Sequence, residues 1–207
     1  MSIPDRIRHA IRKRIRARDR YHRRHMGRSA KREARLIRRL RRRLLSWTAP
    51  RTQFDAVTLA NVPPDARAVG CYVNGDYANH EEAKRRFPDA LITTISVRSS
   101  ELGDVLDVEP GDAAVSDCPA YFARFKQARP HSKPVFYMPA SWVNGFRLEM
   151  KRHGIKRRQY IIWSAHWTHR HICGPLVDEY PKADSTQFTT HDERVDESKC
   201  RPSYWRR

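Results

Sequence analysis

The sequence predicts an α/β domain of parallel βα units behind an arginine-rich helical arm, and three observations carry that expectation. Apolar runs of strand length alternate with helix-length segments over residues 68 to 198. One of those runs, Asp104 to Asp112 (DVLDVEPGD), ends in two carboxylates spaced i, i+2 before a Pro-Gly stop. The positive charge is crowded into residues 1 to 50, which hold 19 Lys and Arg against three acids (Asp5, Asp19, Glu33). That segment carries +16 of the chain's +19, leaving the other 157 residues near balance at +3.

The elements follow in order. In the arm, Ile3, Ile7, Ile11 and Ile15 recur every fourth residue, which draws one apolar stripe along a helix. Leu36, Ile37, Leu40, Leu44 and Trp47 draw a second, and Met26-Gly27 interrupts the two. Ala49-Pro50 ends the second helix. Beyond the arm, Ala68 to Asn74 (AVGCYVN) is rich in strand formers, His80 to Phe87 is a short charged helix, and Leu91 to Val97 (LITTISV) is a buried-type strand. Then come the Asp104 strand, a helix over Cys118 to Ala128, a strand at Pro134 to Met138, a helix over Ser141 to His153 and a strand at Gln159 to Ala165. Asp184 to Phe188 (DSTQF) is the last evident strand. One or two more are expected in Asp55 to Ala60 and near the C-terminus. Strand and helix alternating at this spacing argue for parallel βα units, whose active sites gather at strand C-termini.

Successive strand side chains alternate faces, so Asp107 and Glu109 project together while Leu106 and Val108 pack behind them. Pro110 holds Glu109 in extended geometry. Two acids at a strand's C-terminal end are the equipment of a glycosidase: one protonates the leaving oxygen, the other stabilises the developing positive charge. The plainer alternative makes Asp107 a surface strand residue and Glu109 a turn residue.

Seven pieces, VGCYVNGDY, FPDALITTISV, DVLDVEPGD, KPVFYMPASW, YIIWSAHWT, DSTQF and the closing Val195-Asp196-Glu197-Ser198, stand here in order. In them the chain resembles the glycoside hydrolase family 25 type of lysozyme, and the glycoside-hydrolase-like domains of actinobacteria and their bacteriophages. The resemblance implies a (β/α) TIM-barrel-like domain over residues 51 to 200, small or incomplete because 157 residues are few for eight βα units. It also implies a muramidase-type hydrolase directed at peptidoglycan, or a catalytically inactive descendant. By that resemblance Glu109 matches the general acid. Asp107 matches the acid that holds the substrate's N-acetyl group or the oxocarbenium centre, and Asp196 matches the late acid of the closing motif. The lysozymes carry an aspartate at the end of the first strand, where Asn74 is expected here, with Asp76 two residues on as its substitute. Tyr72, Asn74, Tyr137, Trp163, His166 and Gln187 are expected to line the sugar cleft, since rings stack on pyranose faces and amides take hydroxyl hydrogen bonds. Taken singly, each large aromatic reads equally as core.

The arm calls for an anionic partner: nucleic acid, an anionic membrane surface or a wall polymer. The isoleucine stripe favours the membrane; a solvated tail is the bland alternative. No apolar run reaches transmembrane length, and no apolar segment follows the basic N-terminus. The expectation is therefore cytoplasmic synthesis without a signal peptide and action at the wall after release, or association with a virion. Cys71, Cys118, Cys173 and Cys200 are too widely spaced for a disulfide framework. The cluster His166, His169, His171 and Cys173 matches no common zinc spacing, so neither metal nor cofactor is expected. Residues 201 to 207 (RPSYWRR) form a short tail pinned by Tyr204 and Trp205.

Overall fold

A computed structural model describes residues 3–23, 27–48, 52–167, 183–191, 194–201 and 203–205. The chain divides into two units, Met1–Ala49 and Pro50–Arg207.

The first unit is a pair of helices, α1 (Ile3–Arg23) and α2 (Gly27–Thr48). The middle parts of their apolar stripes meet each other. Ile7, Ile11 and Ile37 are buried together, with Ile15 and Leu40 packed against them. Arg14 spans the two helices, its Nη1 donating to both Glu33 oxygens at 3.0 and 3.2 Å.

The second unit is a closed eight-stranded barrel in which each strand neighbours the next in sequence. The strands are β1 (Thr52–Asp55), β2 (Ala68–Tyr72), β3 (Leu91–Ser96), β4 (Val105–Asp107), β5 (Val135–Pro139), β6 (Ile161–Ala165), β7 (Ser185–His191) and β8 (Val195–Cys200). From β1 to β7 the neighbours run parallel; β8 closes the ring antiparallel to both β7 and β1. Among the described residues, helices follow only three strands: α3 (His80–Arg86) after β2, α4 (Cys118–Ala128) after β4 and α5 (Val143–Arg152) after β5. Short strands and connections without helices are how so few residues close the ring.

The period-two alternation sorts the core into layers inside and outside the sheet. Leu106, Val108, Phe136, Met138 and Ile162 face outward under α4 and α5, where they join Tyr121, Phe125 and Phe146. Val69 and Cys71 do the same under α3, against Ala83 and Phe87. Val105, Val135, Tyr137, Ile161 and Trp163 face inward and share the barrel's interior with Tyr204. The tail is thus anchored by a fully buried Tyr204, whose ring stands edge-on to Trp163 at 6.1 Å and whose hydroxyl donates to Gln53 Oε1 at 3.2 Å. Cys71, Cys118 and Cys200 are buried free thiols, and burial pushes the Cys71 thiol up to about 12.

Two expectations need correction. The first strand is not Ala68 to Asn74 but β1, Thr52–Asp55; residues Leu59–Asn61, which overlap the end of the Asp55 to Ala60 segment expected to supply an extra strand, form a 3-10 turn. A four-residue strand offers too short an alternation to stand out from sequence. Of the small or incomplete barrel expected, the closed ring is the small one. The Asp104 strand stops at Asp107, so Glu109 lies just past its end rather than within it.

Candidate active site

The geometry of the acids starts with β4. Leu106 and Val108 are fully buried against the helical layer, which turns Asp107 and Glu109 toward the barrel's axis. Val108 N–H donates to the Tyr137 carbonyl at 2.9 Å and so carries the extended backbone one residue beyond the strand. Gly111 then adopts φ +98°, a conformation that favours glycine. The turn brings Asp112 N–H onto the Glu109 carbonyl at 3.1 Å. As a result, Asp107, Glu109 and Asp112 each place a carboxylate oxygen within 4.8 Å of the others. Such a trio is the set of hard oxygen donors that a divalent cation would use.

Two more acids arrive from the seam where the barrel closes. Asp55 ends β1 and stands opposite Asp196 near the start of β8. Because β8 runs antiparallel, its beginning and the ends of the parallel strands open on the same mouth. Asp55, Asp107, Glu109 and Asp196 share one small cavity of about 150 Å³ with Tyr72, Tyr137, Trp163, Trp167 and Gln187. A wider lobe of about 620 Å³ adjoins it through Tyr72, Asp107 and Glu109 and is walled by Asp76, Tyr77, Arg98 and Asp112.

Burial and mutual repulsion govern these carboxyls. Asp55 is 4% exposed and Asp107 5% exposed, and each has one oxygen without a hydrogen-bond partner. Desolvation pushes Asp55 well above the usual carboxylate range, and Asp196, Asp107 and Glu109 push it further. Asp107 is likewise held well up by desolvation, then by Glu109 and Asp112. Glu109 is raised by desolvation; a hydrogen bond from Tyr137 partly opposes the shift, while Asp112 and Asp196 add to it. Asp196 is raised by desolvation against hydrogen bonds from Thr190 and Gln187. A group of carboxyls that resist ionisation is suited to donating protons near neutral pH.

The aromatics are held as firmly as the acids. In register across neighbouring strands, Asp107, Tyr137 and Trp163 form one row. The Tyr137 and Trp163 rings meet edge to face at 4.8 Å, and Trp163 Nε1 donates to Ser198 Oγ at 2.8 Å. The serine of the closing Val195–Ser198 motif therefore fixes a ring of the mouth, while the aspartate of that motif faces the cavity.

Of the residues expected from sequence, Tyr72, Asp107, Glu109, Tyr137, Trp163, Gln187 and Asp196 converge on the mouth. Gln187 is buried with its Oε1 unpartnered. Asp76 is exposed and lines only the wider lobe. Asn74 also borders that lobe, but its amide is engaged elsewhere: Nδ2 donates to Ser96 Oγ at 2.8 Å, and Oδ1 accepts from Val97 N–H at 2.9 Å. It straps the ends of β2 and β3 together. His166 is half-buried outside the cavity lining, its N–H donating to the Gln187 carbonyl at 2.8 Å. His169, His171 and Cys173 lie outside the described residues. The sequence reading missed Asp55, Asp112 and Trp167. Asp112 was visible two residues beyond the proline, and Trp167 directly after the β6 run. Asp55 had only the Gln53, Asp55 alternation of a very short strand to mark it.

Compared with models of protein families, with curated proteins and with solved structures, the chain shows no significant match. Fold and mouth together define a closed α/β barrel with an acidic, aromatic-walled cleft.

Proposed function

We propose that the barrel is a glycoside hydrolase of the muramidase type, built on a (β/α) barrel of the TIM kind whose last strand is reversed, and directed at the glycan strand of peptidoglycan. The observation that carries this reading is the placement of Glu109. It is a carboxyl with a raised pKa, hydrogen-bonded by Tyr137 and flanked by Asp107, Asp55 and Asp196 in a cleft walled by aromatic rings. Glu109 protonates the glycosidic oxygen as the bond breaks, then withdraws a proton from the incoming water. Asp107 faces the sugar's anomeric side and stabilises either the oxocarbenium centre or an N-acetyl group attacking from within the substrate. The closeness of Asp107 and Glu109 supports retention, since inversion requires carboxyls about 6.5–9.5 Å apart with a water between. Asp55, at the end of β1 and lining the same cavity, supports this reading as a candidate for the first-strand acid that Asn74 does not provide.

The test is dye release from labelled actinobacterial cell wall by the full chain beside Glu109→Gln. Release by the parent and loss on substitution by about 10²-fold or more supports a hydrolase working through Glu109. Wall binding without release by either chain makes the barrel a glycan-recognition module. The anomer of the freshly cut glycan tests the sub-mechanism, and an inverted product rules retention out.

A further inference from the structure

The helix pair of the first unit poses a question that the barrel does not touch. An interfacial membrane helix requires an exposed apolar face, whereas Ile7 and Ile11 of α1 are buried with Ile37 of α2, and Ile15 and Leu40 pack against them. What faces outward is cationic. On α1, His9, Arg12, Lys13, Arg16 and Arg20 line one groove. At 100° per residue this face lies opposite the isoleucine stripe. On α2, Lys31, Arg32, Arg35 and Arg39 are exposed on the side away from Ile37. Two of the unit's three acids are already taken, Glu33 by Arg14 and Asp19 by Arg18.

We infer that this helix pair is a nucleic-acid-binding element whose two outer faces engage phosphates of a duplex. This goes beyond the hydrolase reading and does not rest on it. The chemistry favours phosphate. Of the 19 cations in residues 1 to 50, 17 are arginine, the side chain whose planar fork pairs bidentately with phosphate oxygens. The geometry favours a dense, stiff polyanion. Arg12 to Arg20 span about 12 Å of helix, a length over which duplex DNA presents roughly seven phosphates. A rigid row of guanidinium groups matches such a row of charge, and it needs no apolar insertion.

Binding of the full chain to a short fluorescein-labelled DNA duplex, followed by anisotropy over a range of salt concentrations, decides the matter. The expected result is tight binding that weakens steeply with salt. The variant carrying Arg12→Gln, Lys13→Gln, Arg16→Gln and Arg20→Gln should bind at least tenfold more weakly. Its log–log salt slope should be shallower by about 3.6, since each of the four lost phosphate contacts removes about 0.9. Arg12→Lys, Arg16→Lys and Arg20→Lys together should keep the slope. If circular dichroism shows the glutamine variant to have lost helix, Arg32→Gln, Arg35→Gln and Arg39→Gln on α2 provide the same test. Duplex binding that is absent at low salt, or a slope unchanged in the folded variants, overturns the inference. So does capture by phosphatidylglycerol vesicles or by an anionic wall polymer in place of DNA. None of these outcomes bears on wall-dye release, so failure here leaves the hydrolase reading intact.

Discussion

Replacing Asp55 by asparagine should stabilise the barrel while impairing its chemistry. Asp55 is 4% exposed, one of its oxygens lacks a partner, and three other carboxyls raise its proton affinity further. Its folded-state pKa therefore lies well above the unfolded value near 3.9. The folded chain binds the extra proton, so the stability tied to this group is present below the unfolded pKa and is lost as pH rises toward the folded one. Each pH unit in that window costs up to about 1.4 kcal/mol. An amide of the same shape does not titrate and escapes that cost. At neutral pH the variant should gain about 1–3 kcal/mol, or roughly 2–4 °C in Tm for each kcal/mol. Below about pH 3 the gain should shrink toward zero, because aspartate is then largely protonated in both states. Thermal melts of the parent and Asp55→Asn, followed by circular dichroism at both pH values, measure the difference. A variant destabilised equally at both would refute the argument, because Asp55 would then be serving as a hydrogen-bonded structural residue rather than a strained, functional one. Wall-dye release should fall in the variant even as Tm rises, the exchange expected of a buried acid kept for function.

Two further perturbations probe the mouth. Tyr137→Phe removes the hydrogen bond that lowers the Glu109 pKa, so the alkaline limb of the wall-release pH profile should move to higher pH; a limb that stays or moves down counts against Glu109 as the acid. Gly70→Ala places a methyl 2.9 Å from Asp55 Cβ and 3.1 Å from Ile95 Cδ1 and should cost about 1–3 kcal/mol in a urea melt. Gly145→Ala, exposed in α5 with nothing within 4 Å of the added carbon, should gain up to about 1 kcal/mol. Equal effects at the two glycines would show that the barrel seam is looser than its packing indicates.

Much of the barrel was legible because β2, β5 and β6 are dominated by apolar residues and β3 by β-branched ones, with turn residues between them. Local pattern suffices there. Where the chain instead lines the polar interior, the pattern fails. In β1 the inward residues are Gln53 and Asp55, and in β8 Asp196 and Ser198; these read as polar loop until the closed ring shows which way they face. β1 is too short and too polar to stand out, so Ala68–Tyr72 reads as the first strand and Asp55 goes unmarked. Asn74 was misread for a related reason. From sequence its amide is free to meet a sugar, whereas in the fold the bonds with Ser96 and Val97 already occupy it. The two stripes of the arm were plain, but a stripe alone does not say what covers it. In the fold, Ile7 and Ile11 pack with Ile37, so that part of the stripes faces the neighbouring helix.

The distribution of charge ties the two readings together. A phosphate-bearing polymer that the helix pair attracts is repelled by a mouth holding Asp55, Asp107, Glu109 and Asp196, unless a cation intervenes. The acids gain nothing from a polyanion, yet burial with unpaired oxygens costs stability that a merely structural barrel would have no reason to bear. What suits them is an uncharged chain rich in hydroxyls and apolar ring faces, which the carboxyls can hydrogen-bond and the rings of Tyr72 and Trp167 can stack upon. Under the two proposals, the opposite electrostatics of the two units fit ligands of opposite character: a neutral glycan at the barrel and a phosphodiester at the helices. On this argument, high salt should abolish the second interaction and leave cleavage of the first almost untouched.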